Sequence, residues 1–219
     1  MADVNTPPSD VIPIFPLAGA LLLPHSQLPL NVFENRYIQL IDDVLRGNRH
    51  IGMIQPREGS DHQSVSDKAP LYDIGCVGRL TMFQEYEDGR YFITLTGIKR
   101  FKIIDEVLTT TPYRQVRVDY SDFEAADAHV EPEFTPDRDR FMQLIRAYVD
   151  VQDYSVNWEM IEQTDTLTLV NAGAALAPWE PSEKQALLEA PSMQDRYDTL
   201  ITLYEMAVAM AAGSQGKAN

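Results

Sequence analysis

The chain has 219 residues, 44% hydrophobic and 23% charged, the balance of a globular protein with room for one large domain or two modest ones. Its formal charge is −15 and uneven: residues 1–120 carry 12 basic and 15 acidic side chains, whereas residues 121–219 carry 6 and 18. Nucleic acid and anionic membrane surfaces are repelled by the second half and held only weakly by the first, so both are disfavoured as partners.

Residues 1–10 are polar with a Pro-Pro pair and read as a flexible tail. From Val11 to Phe33 there is no Asp, Glu, Lys or Arg, which raises the question of a membrane span or a secretion signal. Pro13, Pro16, Pro24 and Pro29 each lack the N–H that a spanning helix must bond internally. A signal needs basic residues ahead of its apolar core, and "MADVNTPPSD" offers two aspartates instead. Neither reading fits, and the expected location is cytoplasmic. Val11–Phe15 reads as a short strand whose prolines suit an edge or a strand end. The stretch "LAGALLLPHSQLPL" holds more leucine than a short loop or strand readily buries. Leu21, Leu22, Leu23, Leu28 and Leu30, with Phe33 and the later Phe83, are either core or an apolar surface for polypeptides.

"ENRYIQLIDDVLRGN" places Tyr37, Ile41, Val44 and Leu45 on one helical face, with Gly47 as the C-terminal cap. "HIGMIQP" reads as a strand stopped by Pro56, and residues 57–70 as a polar loop. Between Tyr72 and Tyr120 the period becomes that of β-structure. Asp88-Gly89 signals a hairpin, Gly97 a bend or bulge, and Tyr113, Val116 and Val118 a further strand. Cys76, the single cysteine, excludes an internal disulfide and reads as a buried, inert thiol in "DIGCVGRL".

Residues 121–139 contain seven acids and two prolines and read as an acidic linker. Residues 140–212 are helical: Phe141, Leu144, Ile145, Tyr148 and Val149 form one stripe, and "TDTLTLVNAGAALAP" a further helix ended by Pro178. Ser182 with Gln185, and Ser192 with Asp195, have the spacing of helix N-caps and their third residues. Residues 213–219 read as a second flexible tail. The domain boundaries expected are therefore 11–120 for a β-rich unit and 140–212 for a helical bundle, an α+β organisation.

Chemistry-bearing motifs are missing. The histidines at 25, 50, 62 and 129 form no HExxH, and no GxxxxGK[ST], GxGxxG or GxSxG occurs. No catalytic, metal or cofactor site is expected, and no enzymatic activity. Glu34, Arg79 and Arg100 sit in apolar surroundings, where a charge persists only when paired. Glu34 is expected to pair with Arg79 or Arg100 and tie the first helix to the sheet.

"IPIFPLAGALLLPHSQLPLNVFENRY", "HIGMIQP", "LYDIGCVGRLTMFQEYEDGRYFITLTGIKRF" and "YRQVRV", in this order, resemble the N-terminal substrate-binding domain of the ATP-dependent Lon protease. "PWEPSEKQALLEAPSMQDRYDTLITLYE" is similar to the helical continuation of that domain. The resemblance implies a PUA-like β pseudo-barrel followed by a C-terminal α-helical bundle, in a bacterial, proteolysis-related family. It also implies recognition of unfolded or exposed apolar polypeptide segments, with a protease or chaperone system as the setting. The sequence has no Walker A loop and no peptidase region, so a stand-alone, non-enzymatic binding module is expected. Two alternatives stay open: an adaptor or scaffold that docks one folded partner or forms a homo-oligomer, and PUA-like RNA binding. The second would need a basic cleft from Arg79, Arg90, Lys99, Arg100 and Lys102, against the net charge.

Overall fold

The computed structural model describes residues 8–57, 69–123, 127, 134 and 136–215. Most of the expected N-terminal tail, of loop 57–70 and of the acidic stretch lies outside the described residues, as do residues 216–219. Six strands form one sheet: β1 (Val11–Pro16), β2 (Gln27–Val32), β3 (His50–Ile54), β4 (Ile74–Glu85), β5 (Tyr91–Val107) and β6 (Gln115–Asp119). Helix α1 (Asn35–Arg46) precedes β3. The C-terminal half folds into α2 (Arg138–Val151), α3 (Trp158–Gln163), α4 (Thr166–Leu176), α5 (Pro181–Glu189) and α6 (Met193–Gln215).

The sheet order is β2-β5-β4-β3-β1-β6, with β6 also pairing with β5. That last pairing, Lys102 to Val107 against Asp119 to Gln115, closes β5, β4, β3, β1 and β6 into a ring. Its interior is filled by Ile12, Ile14, Ile54, Val77, Phe101, Val116 and Val118, to which all five strands contribute. This is the pseudo-barrel. Strand β1 is not an edge, as its prolines suggested, but lies between β3 and β6. Ile14 donates its N–H to the Arg114 carbonyl just before β6, so the Pro13 nitrogen points toward β3, where pairing begins only at Ile14. The missing donor therefore costs no ladder bond.

The hairpin expected at Asp88-Gly89 is present. Tyr86 N–H donates to Arg90 C=O at 2.8 Å, and Gly89 has φ +78°, a conformation open to glycine at no steric cost. Gly97 serves a close approach: a β-carbon there would lie 2.0 Å from the Leu23 carbonyl oxygen. The loop before β2 is thereby locked to β5, with His25 N–H donating to Gly97 C=O and Gly97 N–H to Ser26 C=O.

A second, larger core lies between the sheet, α1 and the helices. Leu21, Leu22 and Leu23 are fully inside it, together with Tyr37, Leu40, Ile41 and Val44 of α1. Phe141, Tyr148, Trp179, Tyr197 and Tyr204 supply an aromatic cluster on the helical side, edge-to-face except for the tilted Tyr148–Trp179 pair, with ring centroids 5.0–6.0 Å apart. The charge-free stretch thus runs through the core as far as Leu23, while Gln27, Pro29, Asn31 and Phe33 of its second half are exposed. Helix α5 starts two residues earlier than Ser182 suggests: Glu180 is the N-cap and Glu183 accepts its N–H at 2.8 Å. Pro181, with its preset φ and no N–H to satisfy, takes the first helical position. Ser192 accepts from Asp195 N–H at 3.0 Å as expected, and α6 then runs on to Gln215, into the expected tail.

Polar groups cross between barrel and helices. Arg100, 1% exposed, donates from Nε to Asp127 Oδ1 at 2.8 Å and from Nη1 to the carbonyls of Leu188 and Ala190 at the end of α5. Its own backbone N–H donates to Asp127 Oδ2 at 2.6 Å, and its guanidinium covers the Phe123 ring at 4.1 Å. Gln55 of the sheet side donates to Pro181 C=O and Gln185 Oε1, while Gln185 donates to Ile74 C=O. The expected Glu34 tie is corrected: Glu34 binds Arg36, two residues away, at 2.7 Å on the surface, and Arg100 takes Asp127. Glu34 stands at the start of α1 with no side-chain capping bond and is a third exposed, whereas Arg100 and its partner Asp127 are both buried.

Two stability measurements follow. Asp127→Ala strands a buried guanidinium, and urea unfolding should show a loss of about 3–5 kcal/mol; Arg100→Met in the same background should recover part of it. His50 is buried with neither ring nitrogen hydrogen-bonded, and desolvation, helped by Arg79, lowers its pKa from 6.5 to about 4. The unfolded chain therefore binds the extra proton between these values. Stability should be full above pH 6.5 and fall toward pH 4 by about 2–3 kcal/mol, a decline that His50→Leu should remove from the urea midpoints.

Candidate functional site

The barrel and helices leave one part of the sheet outside the closed ring. Strand β2 pairs only with β5, through Gln27 opposite Thr96 to Val32 opposite Tyr91. On the other side of the same β5 segment runs the distal half of β4, Leu80 opposite Leu95 to Glu85 opposite Tyr91. These three strands form a flange. Directly paired residues on antiparallel strands share a face, so the register sorts the side chains.

Leu28, Leu30 and Val32 share the inner face with Leu95, Ile93 and Tyr91, and all six are buried or half-buried against the larger core. The outer face carries Pro29, Thr94 and Met82 in one row and Asn31, Phe92 and Gln84 in the next. Phe33, just after β2, and Tyr86, just after β4, close the end of this face. With Asn31 and Arg90 they line a hollow of about 160 Å³. Phe33 is 64% exposed, and Met82 and Tyr86 are also exposed. No described residue forms a core over this face. The bulge between Leu80 and Met82 sets it: Thr81 is the extra residue, bonded to Thr94 C=O and Thr96, and it turns Met82 outward.

Of the seven apolar residues singled out in the sequence, Leu21, Leu22 and Leu23 are core and cannot meet a partner. Leu28 and Leu30 are half-buried beneath the flange. Phe33 and Phe83 are exposed, but Phe83 pairs with Ile93 and so belongs to the opposite face from Met82 and Phe92. Pro29, Met82, Tyr86 and Phe92 were missed. The available signal was the unbroken apolar runs "MF" and "YFI", which put apolar side chains on both faces of a strand, where a half-solvated sheet shows alternation.

A second concavity, about 510 Å³, opens between the start of α1 and the β5–β6 connection, lined by Pro16, Tyr37, Leu108, Pro112 and Tyr113. Its two cations are already bound: Arg36 by Glu34, and Arg114 by two bonds to Glu106 at 2.7 and 2.8 Å. Tyr113 donates to Asp43 and has its pKa pushed up to about 12 by burial and that bond. It offers no activated group. Cys76 is fully buried, and desolvation pushes its thiol far above the ordinary range. Among the described residues no three His, Cys, Asp or Glu side chains are grouped to hold a metal, and no helix is long and apolar enough to cross a membrane.

The basic set Arg79, Arg90, Lys99, Arg100 and Lys102 is not gathered into a cleft. Arg100 is buried, Arg90 binds Asp88 at the hairpin tip, and Lys102 binds Asp122 at the far end of β5. Lys99 stacks over Tyr120 at 4.3 Å.

A ring-closed barrel backed by a helical bundle and carrying an open flange defines the architecture as an α+β pseudo-barrel domain. The family model for the ATP-dependent protease La (LON) substrate-binding domain matches residues 11–205, and the chain belongs to that family. It is 27% identical over 196 residues to Lon protease 2 of Myxococcus xanthus, covering 88% of this chain but 23% of the protease. The chain thus spans about a quarter of that relative's length. Two solved structures share the fold: a Lon N-terminal domain protein from Xanthomonas campestris (TM-score 0.57, 20% identity, 88% of this chain and 97% of that one) and the N-terminal domain of a Mycobacterium avium complex Lon protease (TM-score 0.60, 16% identity, 89% and 98%).

Core and flange should separate cleanly on mutation. Leu22→Ala should lower stability by about 2–5 kcal/mol, whereas Phe33→Ser and Met82→Ser should stay within about 0.5 kcal/mol of the parent in urea melts.

Proposed function

We propose that this chain is a polypeptide-binding module that takes extended apolar segments on the outer face of the β2-β5-β4 flange. One observation carries the reading: Pro29, Phe33, Met82, Tyr86 and Phe92 share a single sheet face, among them three exposed large side chains, over which no described residue packs. Single exposed apolar residues are ordinary on protein surfaces, whereas a group of this kind on one face is the mark of a binding site. Family membership supports it, since the matched domain is described by its substrate binding and the relatives are proteases, whose substrates are polypeptides.

The flange binds in this reading by burying apolar surface, with Phe33 and Tyr86 as rigid aromatic walls of a hollow that accepts one side chain. No chemistry is required of it: the module recognises, and any cleavage belongs to a separate active site. The cytoplasm is the compartment this role suits, where unfolded segments need to be recognised.

The test is fluorescence anisotropy with a reduced, carboxymethylated protein as ligand. Phe33→Ser combined with Met82→Ser should weaken binding at least tenfold, while Phe83→Ser, on the other face, should leave it near the parental value. Equal loss from both, or no binding by the parent, would overturn the assignment to the outer face.

A further inference from the structure

The flange has two open edges, and they are built differently. Beyond Leu80, β4 pairs only with β5, and this edge is guarded by the Thr81 bulge and by the charges of Glu85 and Glu87. Strand β2 also pairs only with β5, but it has no bulge and no charged side chain.

Hydrogen bonds at both ends of the β5 segment fix which groups the β2 edge presents. Tyr86 N–H donates to Arg90 C=O across the hairpin, and Gly97 N–H to Ser26 C=O. Antiparallel alternation therefore turns the backbone of Tyr91, Ile93 and Leu95 toward Val32, Leu30 and Leu28. The backbone groups of Gln27, Pro29 and Asn31 point the other way, and among the described residues nothing hydrogen-bonds them. Pro29 stands where its missing N–H breaks no bond to β5. Leu28 and Leu30, half-buried on the inner face, stay partly open along the same edge.

Resting on the reading of the flange as a polypeptide site, we infer that the free edge of β2 takes an extended segment of the ligand as an added strand. The N–H groups of Gln27 and Asn31 and the carbonyls of Gln27, Pro29 and Asn31 supply the pairing. Every second ligand side chain then covers Leu28 and Leu30, and those between stand beside Pro29 and lead onto the outer face. Backbone pairing reads no particular sequence, which suits a ligand defined by being unfolded. Pro29 withholds the middle donor of the edge, and with the net charge of −15 it opposes edge-to-edge pairing of two copies of this chain.

The experiment titrates the whole chain with a fluorescent peptide of alternating Val and Ser, and with two forms of it N-methylated at every Val or at every Ser. Only one form loses the N–H groups that face β2. It should bind at least about tenfold more weakly, and the other within about twofold of the unmodified peptide; which form is affected gives the direction of the added strand. Asn31→Pro removes an outward donor while sparing the β5 ladder, and should weaken binding about threefold at an unchanged urea midpoint. Pro29→Val supplies the missing donor and should tighten binding about threefold. Equal effects of the two methylated forms would overturn the added strand, and the outer-face reading stands if Phe33→Ser with Met82→Ser still weakens binding. A parent chain that sediments as a dimer, and as a monomer with Asn31→Pro, would overturn it in favour of a second copy. No binding by any peptide would overturn both readings together.

Discussion

Arg100 is the group on which the joining of the two halves depends. A guanidinium withdrawn from water costs several kcal/mol unless every donor is met, and here the donors are met from three directions. Asp127 supplies the charge; the last carbonyls of α5, which have no partner within their own helix, supply the remaining acceptors. Arg196 repeats the device one turn away, donating to Leu187 C=O and Asn171. Both interactions place positive charge at the negative end of a helix, the favourable sense of its dipole. The barrel and the bundle thus share a polar joint with little tolerance for sliding, and the leucines of 21–23 fill the apolar space beside it.

This joint decides which sheet faces are covered and which stay open. The inner faces of β3, β4 and β5 are taken up by the bundle and α1, and the barrel interior is filled by its own side chains. Among the described residues, the distal β4–β5 hairpin with β2 packs its inner face on the larger core and leaves its outer face open. No described residue covers the apolar side chains of that outer face, and the charged side chains of its tip are exposed. The face proposed for polypeptide binding thus lies on a hydrogen-bonded sheet away from the joint.

Much of the fold was legible in the sequence because it depends on neighbours in the chain. The 3.6-residue period of α1, the Asp88-Gly89 turn, the Ser192 cap and the buried character of Cys76 are local consequences of residue type. The resemblance carried the architecture, since its motifs occur in order along the barrel. Less was legible of the candidate site. Phe33 and Phe83, grouped with the leucines as either core or surface, are exposed, whereas Leu21, Leu22 and Leu23 could not be told from surface leucines because the helices that cover them are distant in sequence. Met82 and Phe92 were hidden because sheet faces depend on pairing: one bulge at Thr81 decides which side each residue takes.

The amino-acid sequence by itself determined where the chain is helical or extended, that its charge-free opening is no membrane span, and that Arg100 had to find a carboxylate. It could not determine which one, because Asp127 and the α5 carbonyls are distant in sequence and come together only when the bundle docks. The same holds for the flange. Whether an apolar side chain is core or surface is a property of what lies opposite it, and that is settled by the closure of the ring and the placement of the helices, not by the residue or its neighbours.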